Sequence, residues 1–229
     1  METFYLIFYR LEYFVYMIPA YLLVLFIQLW LKSTVSKYSK VPARLSGTQA
    51  AELVLRTAGV AGVNISHIKG TLTDNYDPST SMIYLSSSVH DSNSVTAVGI
   101  AAHEAGHAIQ YYEDYGPARL RQAAVKVCNI GSRLSIPLII AGIILSFKPL
   151  AVAGIACFLL VIAFQLITLP VEFNASRRAV AILAGSGMLS DAELKGVKKV
   201  LTAAAMTYVG SLAVSTMQLL YYVSRIKRR

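Results

Sequence analysis

Ala101-Ala102-His103-Glu104-Ala105-Gly106-His107-Ala108 sets two histidines four residues apart with a glutamate beside the first. From Val95 to Tyr112 there is no proline, and Ala97, Ala101, Ala102, Ala105 and Ala108 favour a helix. At 3.6 residues per turn, His103 and His107 project from one helical face, so both imidazoles can ligate a single metal ion. H-E-x-x-H on a helix is the metalloprotease pattern. Glu104 stands where a general base is needed, within reach of a water activated by Zn²⁺ without being a ligand itself. The competing reading is a packed helix whose histidines only hydrogen-bond.

Asp91, Ser92 and Ser94 precede this helix as candidate N-caps. Gly99 and Gly106 disfavour helix, which predicts close approach by a neighbouring element at both positions. Gly116-Pro117 is expected to stop the helix.

Working outward, the composition points to lipid. Of 229 residues 55% are hydrophobic and only 14% charged, against roughly 25% charged in soluble domains. The net charge of +9 is interleaved with apolar spans, which assigns it to a membrane surface rather than to nucleic acid. Cys128 and Cys157 lie in apolar surroundings and cannot make a disulfide framework.

Tyr13 to Leu31 contains no charge and is long enough to span a hydrocarbon core. Only Glu2, Arg10 and Glu12 carry charge before it and no small-residue cleavage site follows, so a retained anchor is expected rather than a cleaved signal. Leu134–Phe147 and Leu150–Val171 form a helical hairpin joined by Lys148-Pro149. Its short first arm is open to extension back through Ala123–Arg133. Ala203–Val223 is a fourth span, ending in Tyr221-Tyr222 and the cations Arg225, Lys227, Arg228 and Arg229.

The polar part covers about residues 32 to 133. Ser46-Gly47-Thr48 caps a helix from Gln49 to about Ala58, ended by Gly59 and Gly62. Short β-type runs follow at Asn64–Lys69 and Met82–Ser86, around a turn-rich Thr73–Pro78. A strand just before the His-Glu helix could lay an extended peptide beside the metal, or could merely support that helix.

Catalytic zinc commonly takes three protein ligands and leaves one position open. His67, His90 and Glu172 are available for the third. Glu172 is preferred, because a carboxylate at the edge of a membrane span is costly unless paired or metal-bound. Its alternative is an ion pair with Arg177, Arg178 or a lysine. Were Glu172 helical, Ser176 would lie one turn further on the same face, placed to hold a ligand histidine's second nitrogen.

At these residues the chain resembles the YugP-type neutral zinc metallopeptidases of bacterial membranes. Carrying the resemblance are Lys37–Val41, Leu72-Thr73-Asp74 with Tyr76-Asp77-Pro78, Ala101–Gln110, Leu169–Ala179, Leu194–Leu201 and Thr207-Tyr208-Val209. It implies a peptidase holding one Zn²⁺ through His103, His107 and Glu172, with Glu104 as base. Asn174 stands where that family leads one to expect aspartate, and Ser176 where gluzincins often carry it. Arg177, Arg178, His67, His90 and Tyr76 are candidate oxyanion donors.

The expected fold is mainly α: about four transmembrane helices with a small α+β, zincin-like polar region carrying the H-E-x-x-H helix. Its parts are an N-terminal anchor (1–31), the polar zincin-like region (32–133) and the hairpin (134–171). A third-ligand helix and polar segment (172–202) and a C-terminal helix with basic tail (203–229) complete it. The expected activity is hydrolysis of a peptide or membrane-protein substrate at the bilayer of the bacterial cytoplasmic membrane. Two rivals stand beside it: a non-catalytic metal-binding scaffold or chaperone, and an intramembrane protease. Residues 97–111 are short and polar for the latter, and no L-D-G motif accompanies them. Four spans place segments 32–133 and 172–202 on one side with fifteen Lys and Arg, against six on the other. Lys32, Lys37, Lys40 and Arg44, close behind the first span, favour the cytoplasm for the zinc site.

Overall fold

The computed structural model describes residues 2–227, with side chains from Glu12 onward. Arg228 and Arg229, and the side chains of Glu2 and Arg10, lie outside the described residues. Six helices and three short strands follow in the order α1 (Glu2–Tyr38), α2 (Gly47–Thr57), β1 (Asn64–Ile68), β2 (Asn75–Asp77), β3 (Met82–Ser86), α3 (Val95–Tyr112), α4 (Gly116–Ile144), α5 (Lys148–Gly185) and α6 (Asp191–Lys227). Among the described residues α1, α4, α5 and α6 are long and apolar enough to cross a membrane.

The fold is therefore the mainly helical membrane architecture expected, but its helices outrun the apolar runs that announce them. Intrahelical hydrogen bonding continues wherever nothing breaks it, so α4 starts at Gly116 rather than near Leu134, and α5 runs past Val171 to Gly185. Gly116-Pro117 does not stop the His-Glu helix, which ends at Tyr112. The pair opens α4 instead, where proline's missing N–H is not needed. Thr73–Pro78, read as turn alone, contains β2.

Two compact units share the chain. One comprises Met1–Gln28, Leu120–Leu169 and Thr207–Arg229; the other comprises Leu29–Arg119 and Pro170–Met206. In the first, small residues let helices touch, as membrane helices do where no hydrophobic drive favours large side chains. A Cβ on Gly142 would fall 2.3 Å from Ala151 N, and one on Gly154 would fall 2.7 Å from Ile139 N.

In the second unit the core lies where α2 and the sheet pack on α3. Val54, Ile83, Leu85, Val98, Ala101, Ala102 and Ala105 are buried there. Ser46 caps α2 in a capping box with Gln49, and Ser94 caps α3 by accepting from Ala97 N. The sheet has order β1-β3-β2, with β3 parallel to β1 and antiparallel to β2. Asp77 closes the β2–β3 turn, accepting from Ser79 N, Ser79 Oγ and Thr80 Oγ1 at 2.6–2.9 Å. Those bonds, Ser79's first, hold its carboxyl below the usual range. Because β3 is paired on both sides, the strand just before α3 cannot itself accept an added peptide strand. The sheet edges are β1 and β2.

Candidate metal centre

The second unit carries both halves of the centre, α3 and the α5 segment from Pro170. They meet closely because α3 has glycine at the contact: a Cβ on Gly106 would lie 2.5 Å from the Ala175 carbonyl oxygen. Gly99, read alike in the sequence, has Val197 as its nearest neighbour, at an ordinary 3.5 Å. The Gly106 contact brings residues 103 and 107 opposite 172 and 176.

His103 Nε2 lies 3.2 Å from Glu172 Oε2, and His107 Nε2 lies 3.6 Å from the same oxygen. The rings stand edge to face with centroids 4.6 Å apart. One ligand atom from each of the three residues lies within 4.8 Å of the others, with His107 and Glu172 buried and His103 half-buried.

The far sides of both rings are held. His103 Nδ1 is 3.0 Å from Ser176 Oγ, and His107 Nδ1 is 3.0 Å from Gln110 Oε1. Gln110 Nε2 donates to the Val171 carbonyl at 2.8 Å and to Asn174 Oδ1 at 3.0 Å. A carbonyl only accepts, so the amide nitrogen must face it and the amide oxygen must face His107. His107 therefore carries its proton on Nδ1 and turns the Nε2 lone pair toward Glu172. The Ser176 hydroxyl can accept from His103 Nδ1 in the same way, and with that tautomer three acceptor atoms converge on one point. Such a set repels itself unless a cation sits within it. Two neutral imidazole nitrogens and a carboxylate oxygen, oriented from behind, suit Zn²⁺ and leave a fourth position open.

Asn174 Oδ1 also accepts from Arg178 Nε at 2.7 Å, while Arg178 Nη1 pairs with Glu113. Asparagine here supplies the acceptor oxygen an aspartate would, and Glu113 supplies the carboxylate for Arg178. Arg178 is thus engaged by Glu113 and Asn174. His67 and His90 form a separate edge-to-face pair, with His67 Nε2 on Ser87 Oγ and His90 Nδ1 on Asp91 Oδ1. Arg177 is exposed, and the Tyr76 ring packs beside Tyr111.

Glu104 is buried on α3. Burial lifts its carboxyl to about 7; the Glu172 and Asp74 carboxylates add to the rise, while His103 and a backbone bond from Tyr76 N–H oppose it. Asp74 is fixed by Ser86, whose N and Oγ donate to it at 2.7 and 3.0 Å. Gln110 and the β2 backbone were not singled out from sequence. Gln110 does stand three residues after His107, on the same helical face, and that spacing is the signal that could have found it.

Residues 13–227 match the model of a protein family described as "Putative neutral zinc metallopeptidase". The chain is 42% identical over 198 residues to "Putative membrane protease YugP" of Bacillus subtilis (strain 168), covering 86% of this chain and 88% of that protein. No solved structure matches it.

Proposed function

The chain belongs to the neutral zinc metallopeptidase family, and from that premise we propose that it is a membrane-embedded peptidase holding one Zn²⁺ through His103, His107 and Glu172. The convergence of three acceptor atoms carries this reading. Zinc bound there supplies Lewis-acid polarisation of the scissile carbonyl and acidification of water. Gln110, itself fixed by Asn174 and Val171, holds the His107 ring in the tautomer that offers Nε2, and Ser176 is placed to accept from His103 Nδ1.

Glu104 takes the proton of the attacking water and delivers it to the leaving amine. A carboxyl at about 7 in the metal-free site is poised between the two states, and a dication among the neighbouring ligands draws it toward the ionised form a base requires. The Tyr76 N–H directed at Glu104 turns one edge of β2 toward the base. The main chain of an extended peptide is therefore proposed to add beside β2.

The zinc site is proposed to face the cytoplasm. The cations close behind the first span favour it, and Arg225, one of four opposing tail cations, is paired with Glu12 at 2.9 Å. Metal analysis and peptide hydrolysis by the purified full-length protein test the reading. Wild type should carry one zinc and Glu172→Ala should lose it. Glu104→Gln should keep zinc while turnover falls by at least about 10²-fold. Full zinc in Glu172→Ala refutes the ligand set, and unchanged turnover in Glu104→Gln refutes the base.

A further inference from the structure

Within the first unit, the loop end of the α4–α5 hairpin and the last turn of α6 line a half-open cavity of about 370 Å³, at which Ser146 and Lys148 are exposed. Ser146, Lys148 and Arg225 line it together with Ile143 and Ile226, and no carboxylate is among its lining residues. Arg225 is fixed by Glu12, whose Oε2 accepts from Nη1 at 2.9 Å. Lys148 is the first residue of α5, and no acidic residue occupies that helix's first turn. A lysine there adds positive charge to the end of a helix dipole that is already positive. Lysine, guanidinium and helix N-terminus thus share one cavity; Glu12 offsets the guanidinium, and the positive excess left by Lys148 at the helix N-terminus is one that an anion relieves.

The surroundings select the kind of anion. Ile144, Leu145 and Phe147, beside Ser146 and Lys148, are 75%, 68% and 55% exposed. An apolar hairpin tip with a basic recess in it suits the boundary where acyl chains meet headgroups, and opposite charge attracts an anionic headgroup to such a recess. We propose that this cavity binds the phosphate headgroup of an anionic phospholipid, with Lys148 and Arg225 on the phosphate and Ile143 and Ile226 against the acyl-glycerol part. The site lies apart in sequence from the residues of the candidate metal centre and does not depend on their function.

The chemistry shared by a lipid headgroup and a free phosphate is separated by the probe. Thermal unfolding of the full-length protein is followed in neutral detergent with phosphatidylglycerol, phosphatidylcholine or inorganic phosphate added at constant ionic strength. Phosphatidylglycerol should raise the wild-type midpoint by on the order of 5 °C, phosphatidylcholine and phosphate by much less. Lys148→Gln should lose at least half of that shift, whereas Lys148→Arg and the remote Lys195→Gln should retain it. Native mass spectrometry of the wild-type protein, expected to retain phosphatidylglycerol over phosphatidylcholine, gives a readout independent of any variant's folding. Equal shifts in wild type and Lys148→Gln, equal shifts with both lipids, full stabilisation by inorganic phosphate alone, or no lipid preference by mass spectrometry would overturn the proposal.

Discussion

Replacing Gly106 by alanine tests the contact that assembles the metal centre. The added Cβ would meet Ala175 O at 2.5 Å, Ala175 C at 3.0 Å and Ala175 Cα at 3.2 Å. All three are backbone atoms of α5, so no side chain can rotate aside. An ordinary C···O contact is about 3.3 Å, and α5 must therefore retreat by about 0.8 Å at this point. Glu172 lies three residues before Ala175 and Ser176 one after it; His103 and His107 flank Gly106 in the same way. The retreat thus separates the proposed ligands from each other, where metal bonds tolerate only about 0.2 Å.

Overpacking costs about 1–3 kcal/mol, offset by the roughly 1 kcal/mol that alanine contributes over glycine in a helix. A net loss of about 1–2 kcal/mol corresponds to a fall in Tm of about 3–6 °C in a chain of this size. Zinc affinity, read by chelator competition, should fall by more than 10-fold. Gly99→Ala, two turns earlier on α3, is the control. The nearest atoms to its new Cβ would be those of Val197, from 3.5 Å outward, so stability should hold or rise by up to about 1 kcal/mol. If Gly106→Ala matches Gly99→Ala in both zinc affinity and Tm, the close approach is not what builds the site.

Gln110→Leu removes the acceptor behind His107 and should weaken zinc about 10–100-fold in the same competition assay; wild-type affinity would show that the ring needs no such support. In metal-free protein, Glu104→Gln should change how stability varies with pH. The Glu104 carboxyl is raised on folding, so its contribution is present below the unfolded value near 4.5 and lost as pH rises toward 7. Melts at pH 5 and pH 8 should show the variant gaining on wild type at the higher pH, and a gain independent of pH would count against the burial argument. For orientation, a cysteine at Ser79 in a variant lacking Cys128 and Cys157 should resist a membrane-impermeant thiol reagent in intact cells and label once they are opened. Ready labelling in intact cells would place the site outside.

What could be read from the chain, and what could not, follows from the range of the interactions involved. The four long helices announce themselves because an apolar run of about twenty residues has few other uses. The α3 start is equally local, since a serine hydroxyl accepts from an N–H three residues away. Helix ends on the polar side are harder. Leu169–Arg178 continues α5 although hydrophobicity falls at Glu172, because a drop in hydrophobicity breaks no helical hydrogen bond; Pro170 costs the helix one donor but does not end it. Strand β2 escaped because three residues are too few to display alternation, and Asp77-Pro78 has a strong turn signature of its own. Gln110 escaped for a different reason. It is neither a metal ligand nor a titrating group, and which way its amide points is decided by a carbonyl at Val171, 61 residues away in sequence. The glutamine is visible in the sequence, but the orientation that makes it useful exists only once α5 has packed against Gly106. The tautomer of His107 is therefore a consequence of tertiary structure, whereas its four-residue spacing from His103 is a consequence of helical geometry alone.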